Sequence, residues 1–166
     1  MELEKLIFKS DKSGQRVPDV DNLLVSRWGS EMIVSRGKVV DAGLLSRITV
    51  MEDSGKLVGL ATFQIDENNG SCEIVSVDSL ISGAGIGSKL LAEVEDEAGA
   101  AGCRRMWLIT LNDNPEAAAF YIKRGYKLVA VHLGALIESR KLKPQLPLIG
   151  KHGIQLHDEW ELEKII

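Results

Sequence analysis

The stretch Gly83-Ala84-Gly85-Ile86-Gly87-Ser88 has the types and spacing to do chemistry in this 166-residue sequence. Alternating glycines let the backbone approach a bulky ligand. Ile86, Leu90, Leu91, Val94 and Ala98 then follow at helical spacing. A helix start presents unpaired N–H groups and the positive end of a dipole, so the loop reads either as a pyrophosphate cradle or as a plain flexible turn. It is not a Walker loop, because its only lysine, Lys89, follows Ser88 instead of preceding a hydroxyl residue. As a dinucleotide fingerprint it lacks the third glycine: Ser88 stands there counted from Gly83, and Leu90 counted from Gly85. Asp113 stands where a ribose-binding acid would sit, which keeps a Rossmann-type dinucleotide binder as a secondary reading.

Other reactive side chains are scattered. His152, His157, Asp158 and Glu159 match no standard ligand spacing, so no metal is expected. His132 is of the residue type that can serve as a base at neutral pH, though a lone strand histidine is more often structural. Arg140, Lys141 and Lys143 either grip a phosphate or an acidic acceptor, or form a solvated basic face, which is the commoner case. Cys72 and Cys103 are too few for a disulfide scaffold and read as buried thiols in a reducing compartment.

These groups need elements to position them. The charge of −4 argues against general binding to nucleic acid or an anionic membrane, and 45% hydrophobic residues suffice for the core of one domain. No apolar run reaches the ~18 residues of a membrane span, and the N-terminus lacks a signal pattern, so a cytoplasmic location is expected. Alternation predicts a strand over 3–8, Pro18 opens a helix stopped by Gly29, and Met32-Ile33-Val34 reads as a strand before the turn Arg36-Gly37-Lys38. Strands over 47–51, 57–65 and 72–78 form an antiparallel meander. The helix from Ile86 and a strand over 106–110 add one parallel crossover. Asn114 caps a short helix from Pro115, and strands over 126–133 and 159–163 follow. The fold class is α/β (α+β mixed): a mixed sheet of about seven strands with an antiparallel front half.

At this point the residues resemble the GNAT superfamily of acyl-CoA-dependent N-acyltransferases. Its acyl-CoA motif, V-x-P-x-x-[RQ]-[GR]-x-G-[IY]-[GA], is similar to Val77-Asp78-Ser79-Leu80-Ile81-Ser82-Gly83-Ala84-Gly85-Ile86-Gly87. Its downstream motif, N-x-x-A-x-x-F/L-Y-x-x-x-G-F/Y, is similar to Asn114-Pro115-Glu116-Ala117-Ala118-Ala119-Phe120-Tyr121-Ile122-Lys123-Arg124-Gly125-Tyr126. Two departures stand out: Ser82 where the family prefers Arg or Gln, and Ser79 where it prefers Pro. Losing that cation predicts weaker cofactor binding, offset in part if Lys89 reaches back. The resemblance spans 47–133; on it the chain is a single GNAT domain over 1–166, with 134–166 as a branch-specific C-terminal extension.

The resemblance implies a GNAT fold: a twisted sheet with helices on both faces, splayed to admit an acetyl-CoA co-substrate, with no metal. Gly83, Ala84, Gly85, Ile86, Gly87 and Ser88 would hold the pyrophosphate, beside Ser82. Backbone from Val75 to Val77 would pair with the pantetheine, and one N–H there would polarise the thioester, an effect of about 3 to 4 kcal/mol. Tyr121 would protonate the leaving thiolate, contributing about 10² to 10⁴ in rate, against an alternative role in packing. Asn114 would touch the pantetheine or act only as a cap; Asn112 and Asp113 have the same two options. For the base, Glu73 is expected on the face of Val75 and Val77 if the strand is regular, with Asp78 the other acid nearby. The expected activity is N-acetyl transfer to an amine acceptor, small molecule or protein, by direct attack in a ternary complex. A catalytically silent CoA-binding regulatory module is the alternative, and a homodimer through sheet edges or the tail strand is allowed.

Overall fold

In the computed structural model, which describes residues 2–12 and 14–166, the two longest strands pair at the centre of a sheet. These are β5 (Leu57–Asp66) and β6 (Ser71–Ser79). β4 (Ser46–Met51) and β1 (Ile7–Asp11) extend the antiparallel half on one side. On the other side β7 (Arg105–Leu111) runs parallel to β6, and the C-terminal β9 (Glu159–Ile165) enters between β7 and the edge strand β8 (Lys127–His132). The order β1-β4-β5-β6-β7-β9-β8 makes a seven-stranded mixed sheet. β2 (Met32–Ser35) and β3 (Lys38–Asp41) form a separate hairpin.

Each face of the sheet has its own core. α2 (Ile86–Ala100) buries Ile86, Leu90, Leu91, Val94 and Ala98 against Ile48, Phe63, Ile74, Met106 and Leu162. These side chains are almost fully buried, so a Leu90→Ala change would cost about 2–5 kcal/mol. α1 (Pro18–Trp28) covers the opposite face with Val20, Leu23 and Leu24 on Leu60 and Ile33. Its end is set by Gly29 in the left-handed region, which leaves that N–H free to bond Val25. α3 (Pro115–Ile122) begins where expected, and the Asn114 carboxamide oxygen accepts from the Ala117 N–H at 3.1 Å.

Two local expectations change, and a helix appears where the sequence pattern assigns no element. Leu3 lies in a 3-10 turn over Leu3–Lys5, and the first strand begins only at Ile7. The basic segment around Arg140 lies on a helix, α4 (Ala135–Leu142). Two prolines and the exposed residues Ile137 and Leu142 obscure its apolar stripe in the sequence. Lys143 is no solvated cation: it is buried, and its ammonium donates to the carbonyls of Trp28 and Met32 at 3.5 and 3.0 Å. The tail thereby caps the end of α1 and, through β9, supplies an inner strand of the sheet.

Candidate functional site

β6 changes character halfway along. Its first four residues pair with β7, from Ser71 opposite Arg105 to Ile74 opposite Leu108. Beyond Ile74 that pairing stops, because the upper part of β7 bonds only to β9. A bulge sits at the same point: Phe63 faces Ile74 and Thr62 faces Ser76, which leaves Val75 as the extra residue. The expectation of a regular strand is corrected here. Val75 packs toward the α1 core, as its place next to Ile74 requires, whereas Val77 packs toward the α2 core. Glu73 therefore shares a face with Val75 and Asp78 but not with Val77. Past the bulge a gap opens between β6 and β7, walled by residues 75–79, whose backbone is unpaired on the β7 side while 76–79 stay paired with β5.

The glycine loop lies at the end of that wall. Gly83 and Gly85 have φ of 74° and 76°, a region that costs other residues about 1–2 kcal/mol. Space around Gly83 is open, so its glycine answers to conformation and not to crowding. α2 starts directly after Gly85 with no side-chain cap and no acid in its first turn. The first N–H bonded within the helix is that of Lys89, to the Gly85 carbonyl at 3.1 Å; those of Ile86, Gly87 and Ser88 face outward. Ser82 sits exposed at the lip. Lys89 does not reach back to the loop: it lies over the Phe8 ring and 4.0 Å from Glu93.

The cation at this helix start is one the sequence reading passed over. Arg124, at the end of α3, donates through Nε (3.1 Å) and Nη2 to the Ser88 hydroxyl, and through Nη1 to the Phe120 carbonyl at 2.6 Å. Its guanidinium lies 3.7 Å from the Phe120 ring centroid. An arginine four residues after a helical aromatic was the available signal.

Tyr121 is buried among the α2-side core, edge-on to Phe120 and Tyr126 at 5.0 and 5.5 Å. Burial raises its pKa well above the usual phenol range and Asp78 adds to the shift, so it stays protonated at neutral pH. Asp78 is itself pushed up by burial, against the bond from the Trp28 indole N–H at 2.8 Å. Asn114 spends its oxygen on the α3 cap. Asn112 and Asp113 serve the tail: Asn112 accepts from the N–H groups of His157 and Asp158, each at 3.1 Å, and Asp113 from that of Lys151 at 2.8 Å.

Glu73 stands on the other face, in the wall of a cavity of about 700 Å³ roofed by the β2–β3 hairpin tip. Gln64 Nε2 donates to one carboxylate oxygen at 2.6 Å and Ser35 Oγ to the other at 3.4 Å. Burial nevertheless raises its pKa, against the two hydrogen bonds and the nearby Lys38 charge, which lower it. The hairpin tip is held by the buried Glu159, which accepts from the Arg36 N–H at 3.2 Å and from Ser139 Oγ at 3.4 Å.

The remaining expectations resolve separately. His132 lies 3.9 Å from Glu161 on the edge strand β8, away from the gap. His152 contacts Glu116 and His157 contacts Asp158, and no metal-holding cluster occurs among the described residues. Cys72 and Cys103 are free and buried, the Cys72 thiol pushed up to about 12. No helix among the described residues is long and apolar enough to cross a membrane. A single parallel strand pair among them does not make a Rossmann sheet, which removes the dinucleotide reading.

Comparison with known proteins agrees with this geometry. The model of the Acetyltransferase (GNAT) family matches residues 28–126. Uncharacterized protein YdhI of Bacillus subtilis (strain 168) is 40% identical over 146 residues, 87% of this chain and 89% of its own length. Uncharacterized protein YxbD of the same organism is 37% identical over 137 residues, 82% and 85% of the two chains. Among solved structures, the IAA acetyltransferase from Bacillus cereus ATCC 14579 superposes with a TM-score of 0.73 at 17% identity, covering 97% of this chain and 99% of that one. A GNAT family acetyltransferase from Elizabethkingia anophelis with acetyl-CoA bound gives 0.67 at 16% identity, covering 98% and 99%.

Proposed function

The chain belongs to the GNAT acetyltransferase family, and from that premise we propose that it transfers the acetyl group of acetyl-CoA to a primary amine, by direct attack with both substrates bound. The observation that carries this reading is the upper half of β6. There a bulge frees a strand edge beside an uncapped helix start, and Glu73 faces a cavity below the bulge.

The residues present fit the cofactor. Outward N–H groups of residues 83–88 and the Arg124 guanidinium suit a pyrophosphate. The free edge of residues 75–77 suits the amides of the pantetheine arm, and Ser82 would contribute only a hydroxyl. Acetyl-CoA, when bound, supplies an acetyl thioester whose C–S bond breaks as the acceptor's N–C bond forms. Backbone N–H at the bulge polarises the carbonyl. Glu73 takes one proton from the acceptor ammonium and passes it to solvent; its raised pKa suits a base. Tyr121 gives its Oη proton to the leaving sulfur and is restored by the second proton that the nitrogen sheds. Buried thiols and a metabolite co-substrate favour a cytoplasmic setting.

Parallel calorimetric titrations with acetyl-CoA, CoA and NAD, followed by amine-dependent thiol release, test this reading. Saturable binding of both CoA species but not NAD, with turnover on adding an amine, is the expected result. CoA binding without turnover on any amine would leave a silent CoA-binding module, and absence of CoA binding would sink both.

A further inference from the structure

The cavity holding Glu73 is not simply acidic. On the hairpin side stand two cations, Arg36 and Lys38; on the sheet side stand Gln64, Glu73, Arg105 and Trp107. Arg105 is already spent, bonded to Glu163 at 2.6 Å and near Glu161 at 3.8 Å, with its guanidinium over the Trp107 ring. Asp66, on the rim, is engaged by Asn68 and Asn69 of its own turn. Arg36 is shared with Glu159 at 3.7 Å. Lys38 is exposed at the tip and has no ion-pair partner among the described residues. Besides the rim acids Asp66 and Glu67, the cavity thus has one hydrogen-bonded carboxylate at its floor, Glu73, and at its mouth one ammonium, Lys38, which is in no ion pair but whose charge is felt at Glu73.

The mouth is also held in place. Arg36 has φ of 51° and Gly37 of 71°, the two left-handed positions of a tight hairpin turn. Arginine is a poor residue for the first of these, and such strain persists only where surrounding structure over-determines it. Here Glu159, anchored on β9, accepts the Arg36 N–H. The hairpin tip, and with it Lys38, is fixed above Glu73 by a residue of the C-terminal strand.

We propose that this cavity is the acceptor pocket and that its acceptor is an amine that also carries an anionic group, a free amino acid or similar zwitterion. Glu73 receives the ammonium end, Lys38 receives the carboxylate, and Trp107 forms the wall between them. This rests on the acetyl-transfer reading above. A site whose cation is built for a carboxylate discriminates against the same molecule lacking it.

The test measures thiol release from acetyl-CoA with L-amino acids, the corresponding amino-acid amides, and linear di- and polyamines, alongside calorimetric binding of acetyl-CoA. The expected result is kcat/KM at least roughly tenfold higher for amino acids than for their amides, the size of one charge-assisted contact. In Lys38→Gln that preference collapses through a raised KM, while acetyl-CoA affinity is kept. Equal or better turnover of amides or polyamines overturns the proposal. So does a preference that survives in Lys38→Gln, or acetyl-CoA binding with none of these amines acetylated. Failure of acetyl-CoA to bind would instead remove the acetyl-transfer reading on which the proposal stands.

Discussion

The two halves of β6 do different work with different materials. Past the bulge, the site is made of backbone: a free strand edge, two left-handed glycines and the first N–H groups of α2. Before the bulge, it is made of side chains from distant segments, with Glu73 on β6, Gln64 on β5, Ser35 and Lys38 on the hairpin, and Trp107 on β7. Backbone suits a co-substrate of fixed structure, because its recognition does not depend on side-chain identity. Side chains suit an acceptor, which must be told from other amines.

The comparison is broken most directly at its catalytic ends. Glu73→Gln should lower turnover by about 10² to 10⁴ and leave calorimetric acetyl-CoA binding unchanged. The pH dependence carries a further signature. A raised folded pKa means that protonated Glu73 favours the folded state. Its stabilising contribution is complete below the unfolded carboxylate pKa and is lost as pH rises through the folded value. The Gln variant should therefore melt no lower than wild type at neutral pH. In the wild type, the acid limb of kcat/KM should lie above the ordinary carboxylate range and vanish in the variant. A variant that melts lower and turns over normally would reassign Glu73 to structure.

Tyr121→Phe tests the other half. Turnover should fall about 10²-fold with acetyl-CoA affinity kept, and unchanged turnover would leave the ring only its packing role. Arg124→Gln should act on binding alone. Acetyl-CoA affinity should drop about tenfold or more, as for one charged hydrogen bond, and a truncated thioester lacking the nucleotide should show no difference. An equal loss for the truncated thioester would mean that Arg124 merely holds α3 against α2. The smallest effect is expected from Asn114→Ala: about 1 kcal/mol of stability in denaturant unfolding, because its oxygen caps α3. A marked loss of acetyl-CoA affinity there would return Asn114 to the cofactor site.

Much of the molecule was legible in the residues. The apolar spacing of Ile86, Leu90, Leu91, Val94 and Ala98 specifies the buried face of α2, since a helix repeats every 3.6 residues whatever it packs against. Gly29 and Asn114 mark helix ends because their conformation and capping chemistry are local. The cofactor end shares this property: its glycines and helix start are contiguous in sequence. The bulge at Val75 is not local, since it exists only as a mismatch of register with β5, and it reversed the side of the sheet assigned to Val77. Lys143 looked solvated until α4 carried it under the end of α1. Arg124 reaches Ser88 at the start of α2 only because α3 lies beside α2. The cavity around Glu73 assembles residues from β2 to β7, and Glu159 near the C-terminus holds its roof. Sequence alone determines what depends on neighbours along the chain; the pocket proposed for the acceptor depends on neighbours across it, which long-range pairing alone brings together.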